Sequence, residues 1–197
     1  MKPSLRVEAL LLAAGAGTRL GGNKLDLPFR GKPLMMHALE ALLACSSIDR
    51  VTVVVRPGTE VRCSSPRCQV LVNPEPEHGQ AGSLVLGLAA LAPSCRSVVL
   101  SLADLPLTSP GLISELLTLH RQSNRAALRP VYRGRPGHPV IVDHTLLPSL
   151  LALEGDEGCK GFFSRHPEVV ELVEVEDPAV VRDVDTPADL RELCGHA

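Results

Sequence analysis

The 197-residue sequence predicts an α/β fold, a single domain over residues 1–197 built on a mainly parallel sheet. Three observations carry that reading. Short apolar, β-branched runs alternate with segments of helical periodicity. The runs are apolar almost throughout rather than at every second position, as strands covered on both faces are. No repeat, linker or low-complexity segment divides the chain, and 45% hydrophobic residues suffice for one core.

The elements follow in order. Val7 to Ala14 is the first buried strand, and it empties into a glycine-rich stretch. Arg30-Gly31-Lys32-Pro33 is a turn, and Pro33 opens a helix to about Cys45, with Leu34, His37, Ala38, Ala41 and Leu42 on one face. Val51 to Val55 is a strand closed by Arg56-Pro57-Gly58, and a weaker one spans Gln69 to Val72. After the loop Asn73–Gly82, Ser83 is placed to cap a helix carrying Leu84, Leu88 and Leu91. Ser97 to Leu102 is a strand, and Ser109 to Arg121 a helix. Ala126–Tyr132 and His138–Val142, joined through Arg133–Gly137, read as a hairpin or a glycine-rich excursion beside the main sheet. Helices over Asp143–Leu153 and from Cys159 to before Pro167 precede a last strand, Val169–Val175, and a closing helix, Pro187–Leu193.

Composition removes several function classes. Aromatic residues make up 2% and the formal net charge is -2, so neither base stacking nor a basic surface points to nucleic acid. Six scattered cysteines without a Cys-x-x-Cys pair read as free thiols in a reducing compartment. The first apolar run ends in Ala-Ala-Gly but is too short to span a bilayer. The expectation is a soluble, cytoplasmic protein with no membrane and no nucleic-acid partner.

The chemistry concentrates after the strands, where an open parallel sheet binds its ligands. Gly15, Gly17, Gly21 and Gly22 lie within eight positions, together with Arg19 and Lys24, and no carboxylate occurs between Glu8 and Asp26. Such a loop presents backbone N–H groups and cations to an anion, the makings of a phosphate site. It is not a Walker loop, since Leu25 follows Lys24, nor a dinucleotide fingerprint, since Leu20 stands where the third glycine belongs. Asp104 follows the Ser97–Leu102 strand, and Asp183 and Asp185 follow the last one. Each Asp is equally a turn former or helix cap, and Asp185-Thr-Pro-Ala-Asp189 is a good helix start. His138, between Gly137 and Pro139, reads as a positioned hydrogen-bonding residue. Arg129, Arg133 and Arg135 either steer an anion or form a solvated basic face.

The segment Leu12-Ala-Ala-Gly-x-Gly-x-Arg-x-Gly-x-x-Lys24 resembles the signature loop of the nucleotidyltransferases, and within them the molybdenum cofactor cytidylyl- and guanylyltransferases. Ser101-Leu-Ala-Asp104-Leu-Pro106, Asp183-Val-Asp185-Thr-Pro, Gly137-His138-Pro139 and Gly155-Asp-Glu-Gly158 are similar to further motifs of that family, in its order. The resemblance implies a three-layer, Rossmann-like nucleotidyltransferase fold and transfer of a nucleotidyl group from a nucleoside triphosphate to a phosphorylated acceptor, with Mg²⁺. It implies a nucleotide site made of Ala13, Ala14, Gly15, Ala16, Gly17, Thr18, Arg19, Lys24, Gly79, Ser83 and Asp104. Arg19, Lys24 and Asp104 would be catalytic, Asp104 and Asp185 would hold the metal, and His138 would lie at the acceptor. Leu-Ala-Ala-Gly15 resembles the cytidylyl branch, which points to CTP, and the Gly-His-Pro and Asp-Thr-Pro elements point to molybdopterin, with a molybdoenzyme as the partner served. A sugar-1-phosphate or other phospho-alcohol acceptor, and a non-catalytic accessory protein, are the alternatives.

Overall fold

The computed structural model describes residues 6–15, 24–155 and 158–195. Its centre is β1 (Arg6–Ala13), whose side chains are buried on both faces of the sheet. Val7, Ala9, Leu11 and Ala13 enter one core, and Leu10 and Ala14 enter the other. That is why the strand is apolar from Ala9 onward: most of both faces is covered.

A small hairpin of β2 (Pro28–Phe29) and β3 (Lys32–Pro33) leads into α1 (Leu34–Ala44). β4 (Arg50–Val55) pairs with β1 in parallel, and β5 (Cys68–Val72) extends the sheet to its edge. Then come α2 (Gln80–Ala89), β6 (Cys95–Leu102), which flanks β1 on the other side in parallel, and α3 (Pro110–Gln122). β7 (Ala127–Tyr132), the short β8 (Arg135–Pro136) and β9 (Val140–Asp143) follow. α4 (Leu147–Leu151), α5 (Cys159–Arg165), β10 (Val170–Glu174) and α6 (Pro187–Gly195) close the chain.

The strand order is β10-β7-β9-β6-β1-β4-β5, with β8 attached to β7. The β6-β1-β4-β5 half is parallel, and β10 pairs with β7 in parallel. β9 runs antiparallel to both β6 and β7. The expected hairpin therefore lies within the main sheet, with its second strand wedged between β7 and β6. α1 and α3 supply the core on one face; α2, α4 and α5 supply it on the other. The result is the mixed α/β, mainly parallel architecture expected of a nucleotidyltransferase.

Two helices differ from expectation. α2 begins at Gln80, after Gly79 at φ 100°, a conformation that glycine adopts without strain. Ser83 is therefore inside the helix and buried, not its cap. The segment after Asp143 starts as a 3-10 turn, His144–Leu146, and only Leu147–Leu151 is α-helical. Asp143 caps that turn through Thr145 N–H at 2.9 Å. Among the described residues no helix is long and apolar enough to cross a membrane.

Candidate active site

The carboxyl ends of β1 and β6 lie side by side, and Ala103 N–H donates to the Leu12 carbonyl at 3.1 Å, carrying their pairing into the loops. This puts Ala14 and Gly15 next to Asp104. The Asp104 carbonyl in turn accepts from Val184 N–H at 2.9 Å. One backbone hydrogen bond thus draws the Asp183–Asp185 segment onto the end of β6. Thr186 and Asp189 hold the start of α6: Asp189 Oδ2 accepts from Asp185 and Thr186 N–H at 3.0 and 2.7 Å, and Thr186 Oγ1 accepts from Asp189 N–H at 3.2 Å. That reciprocal pattern is a capping box with Asp as its acid. It occupies Asp189 and leaves the Asp185 carboxylate turned elsewhere.

It turns to Lys24. The Lys24 ammonium lies 2.8 Å from Asp104 Oδ2 and 2.7 Å from Asp185 Oδ1. Burial disfavours the charge on Lys24, but the two carboxylates outweigh burial and hold its pKa above the ordinary value. Lys24 is therefore a cation throughout the neutral range. Asp183, beside the pair, is pushed up, first by burial and then by the neighbouring Asp185 and Asp104 charges.

A cavity of about 330 Å³ opens in front of this triad. Its floor is Ala14, Gly15 and the side chains of Leu12 and Leu102; its far wall is Pro76, Glu77, Gly79, Gln80 and Ser83 at the start of α2. An apolar floor with charge at one end and a helix N-terminus along the side suits a phosphorylated ligand with a flat, less polar end. Two smaller hollows continue along the strand ends. One, of about 70 Å³, is bounded by Gln80, Leu102, His138, Gly158, Cys159 and Lys160. The other, of about 110 Å³, is bounded by Leu102, Arg135, Gly137, His138, Val180 and Asp183. Leu102 touches all three, so the hollows form one row from the charged triad towards His138.

His138 is held by its N–H to the Val180 carbonyl at 2.8 Å, and Gly137 is packed so closely that a Cβ there would sit 2.2 Å from Val180 O. Its Nδ1 is buried without a hydrogen-bond partner among the described residues. Burial first, and the Arg129 charge second, lower the ring's pKa to about 4. It is a neutral imidazole at pH 7 and presents a donor or acceptor, not a charge.

The structure thus brings together Ala14, Gly15, Lys24, Gly79, Ser83, Asp104 and Asp185, with His138 one hollow away. Ala13 lies beneath, buried in β1. Ala16, Gly17, Thr18 and Arg19 lie outside the described residues. Sequence reasoning missed Gln80, which walls two hollows and whose Oε1 fills the space where a Cβ on Gly158 would sit, at 2.7 Å. Its only signal was its place between Gly79 and Ser83. Among the described residues no three His, Cys, Asp or Glu side chains group as a metal site. The donor set nonetheless fits a cation that takes one or two carboxylates and completes its shell with water and phosphate. Asp104 Oδ1 is a buried acceptor without a partner among the described residues, and Asp185 is half exposed beside it.

Comparison with known proteins gives the family and the fold. The family described as MobA-like NTP transferase domain matches residues 9–170. Nicotine blue oxidoreductase of Paenarthrobacter nicotinovorans is 30% identical over 197 residues, covering 95% of this chain and 96% of that one. Molybdenum cofactor cytidylyltransferase of Escherichia coli is 24% identical over 200 residues, covering 93% of each. The crystal structure of Rv0371c from Mycobacterium tuberculosis superposes with a TM-score of 0.85 at 26% identity, over 96% of this chain and 97% of that one. Its complex with manganese superposes at 0.82, with 23% identity and coverage of 96% and 98%.

Proposed function

Because the chain belongs to the MobA-like NTP transferase family, we propose that it transfers CMP from CTP to the phosphate of molybdopterin, with Mg²⁺ and release of pyrophosphate. The observation that carries the reading is the Lys24 ammonium gripped by Asp104 and Asp185 at the mouth of the 330 Å³ cavity, next to the loop that leaves β1. Membership of the family makes the chain a nucleotidyltransferase; the base, the acceptor and the metal are what the proposal adds.

In this reading a phosphate oxygen of the acceptor attacks the α-phosphorus in line, a new P–O bond forms, and the bond to the β-phosphate breaks. The acceptor is already anionic at neutral pH, so no strong base is required, and rate comes from placement and neutralised charge. Ala14 and Gly15, with Ala16 to Thr18 and Arg19 beyond them, hold the β- and γ-phosphates. Lys24 meets the α-phosphate and the leaving group. Asp104 and Asp185 would hold the metal, which when bound would supply further positive charge to the triphosphate. Gly79 and Ser83 line the nucleoside end, and neutral His138 orients the acceptor without carrying a proton through the reaction. The single domain of residues 1–197 would work in the cytoplasm and serve a molybdoenzyme.

The test is pyrophosphate release measured with Mg²⁺ and each of CTP, GTP, ATP and UTP, with and without molybdopterin. Release that requires both CTP and molybdopterin supports the reading. Release with another base or a sugar phosphate redirects it, and binding of NAD(P)H without any nucleotidyl transfer overturns it in favour of redox chemistry like that in the name of the 30% relative.

A further inference from the structure

We propose that Asn73 is a positioning residue that fixes the Ser83 hydroxyl as a hydrogen-bond donor, so that the cavity selects a base edge presenting an acceptor there, such as the 2-oxo group of a pyrimidine. The inference rests on the nucleotide-binding reading of the cavity above. Asn73 sits just past β5 and is 5% exposed. Its N–H donates to the Val55 carbonyl at 2.8 Å, so its backbone is an extension of the β4–β5 pairing. Its side-chain orientation follows from hydrogen-bond direction alone. Glu75 N–H lies 3.0 Å from one end of the amide, and only the oxygen can accept there. The amide nitrogen must then be the atom 2.9 Å from Ser83 Oγ. An amide nitrogen only donates, so Ser83 Oγ is the acceptor in that bond and its own proton is left for another partner.

Ser83 is 7% exposed, and its side of α2 lines the 330 Å³ cavity. Serines in α3 and α5 return their protons to the carbonyl four residues back, as Ser114 does to Pro110 and Ser164 does to Lys160, both at 2.9 Å. Ser83 makes no such bond among the described residues. Its buried proton is aimed by elimination at the cavity, and a ligand without an acceptor at that point would leave it unsatisfied.

The experiment compares CTP affinity and turnover in the wild-type chain, Asn73→Asp and Ser83→Ala. Asp keeps the shape and still accepts from Glu75 N–H, but it has no N–H to give. Ser83 must then donate to residue 73 instead of the ligand. The expected result is a Kd and KM for CTP about tenfold higher in N73D, with kcat at saturation unchanged. S83A should show the same loss, and N73D/S83A no further loss, because both substitutions remove one donor. Should N73D fail to fold by circular dichroism, Asn73→Ser, which is too short to reach Ser83, releases the hydroxyl to rotate and gives a smaller rise in the same direction. Wild-type affinity in a folded Asn73 variant, or additive losses in the double variant, overturns the proposal while leaving the nucleotide site standing. Absence of CTP binding by the wild-type chain overturns both.

Discussion

Lys24→Ala removes the ammonium on which Asp104 and Asp185 converge, and Asp104→Ala removes the acceptor that orients it. Each should lower pyrophosphate release on the order of a hundredfold or more, since on the proposed reading the first deletes the cation at the transferring phosphate and the second the carboxylate that orients that cation and would hold the metal. Far-UV circular dichroism should be unchanged, because Lys24 and Asp104 lie in the connections beyond the strand ends rather than in the core. Turnover near that of the wild type in either variant contradicts the assignment. His138 makes a prediction about stability. Its folded pKa of about 4 lies below the ordinary 6.5, so between those values the unfolded chain binds a proton that the folded chain refuses. The contribution of the neutral ring is complete above pH 6.5 and is lost as pH falls towards 4. That loss is on the order of 3 kcal/mol. Denaturant titrations at pH 7 and 4.5 should show a smaller pH dependence in His138→Gln than in the wild type.

At the scale of elements, the site depends on packing far from it. Glu8 in β1 is fully buried, yet it is paired with Arg50 of β4 at 2.7 Å and with Arg6 at 3.0 Å. Glu8→Ala leaves Arg50 without that partner and should cost about 3 kcal/mol in chemical unfolding. Gly87 lets α2 lie against β1: a Cβ there would be 2.2 Å from Leu10 Cδ1. Gly87→Ala should therefore cost about 1–3 kcal/mol and weaken nucleotide binding, since α2 carries Gln80 and Ser83. The central strands were legible because burial on both faces leaves a largely apolar run, whereas the edge strands β5 and β10 are covered on one face more than the other. The start of α2 was not, because it is set by a distant contact, Ala81 N–H to the Gly155 carbonyl at 3.2 Å, and by the positive φ of Gly79. Ser83 looked like a cap in the sequence because serine before a helical pattern usually is one. Here it sits one turn inside.

Across the whole molecule, the sheet gathers what the sequence scatters. Lys24 is 80 residues from Asp104 and 161 from Asp185, and yet one ammonium touches both. That convergence could be expected from the rule that ligands bind at the carboxyl ends of parallel strands, applied to three strands at once. The place of β9 could not, because an antiparallel strand wedged between β7 and β6 is chosen by pairing partners far apart in sequence. That wedge matters to function: β9 follows Pro139, and it carries His138 to the row of hollows beside Leu102. On the proposed reading, the parallel half of the sheet would hold the nucleotide end, and the mixed half would face the acceptor.

The central claim is nucleotidyl transfer between those two halves, and pyrophosphate release from CTP with Mg²⁺ and molybdopterin tests it most directly. The account predicts release that needs all three and falls at least a hundredfold in Lys24→Ala. Release that persists unchanged without Lys24, or none with any nucleoside triphosphate and acceptor, would contradict it.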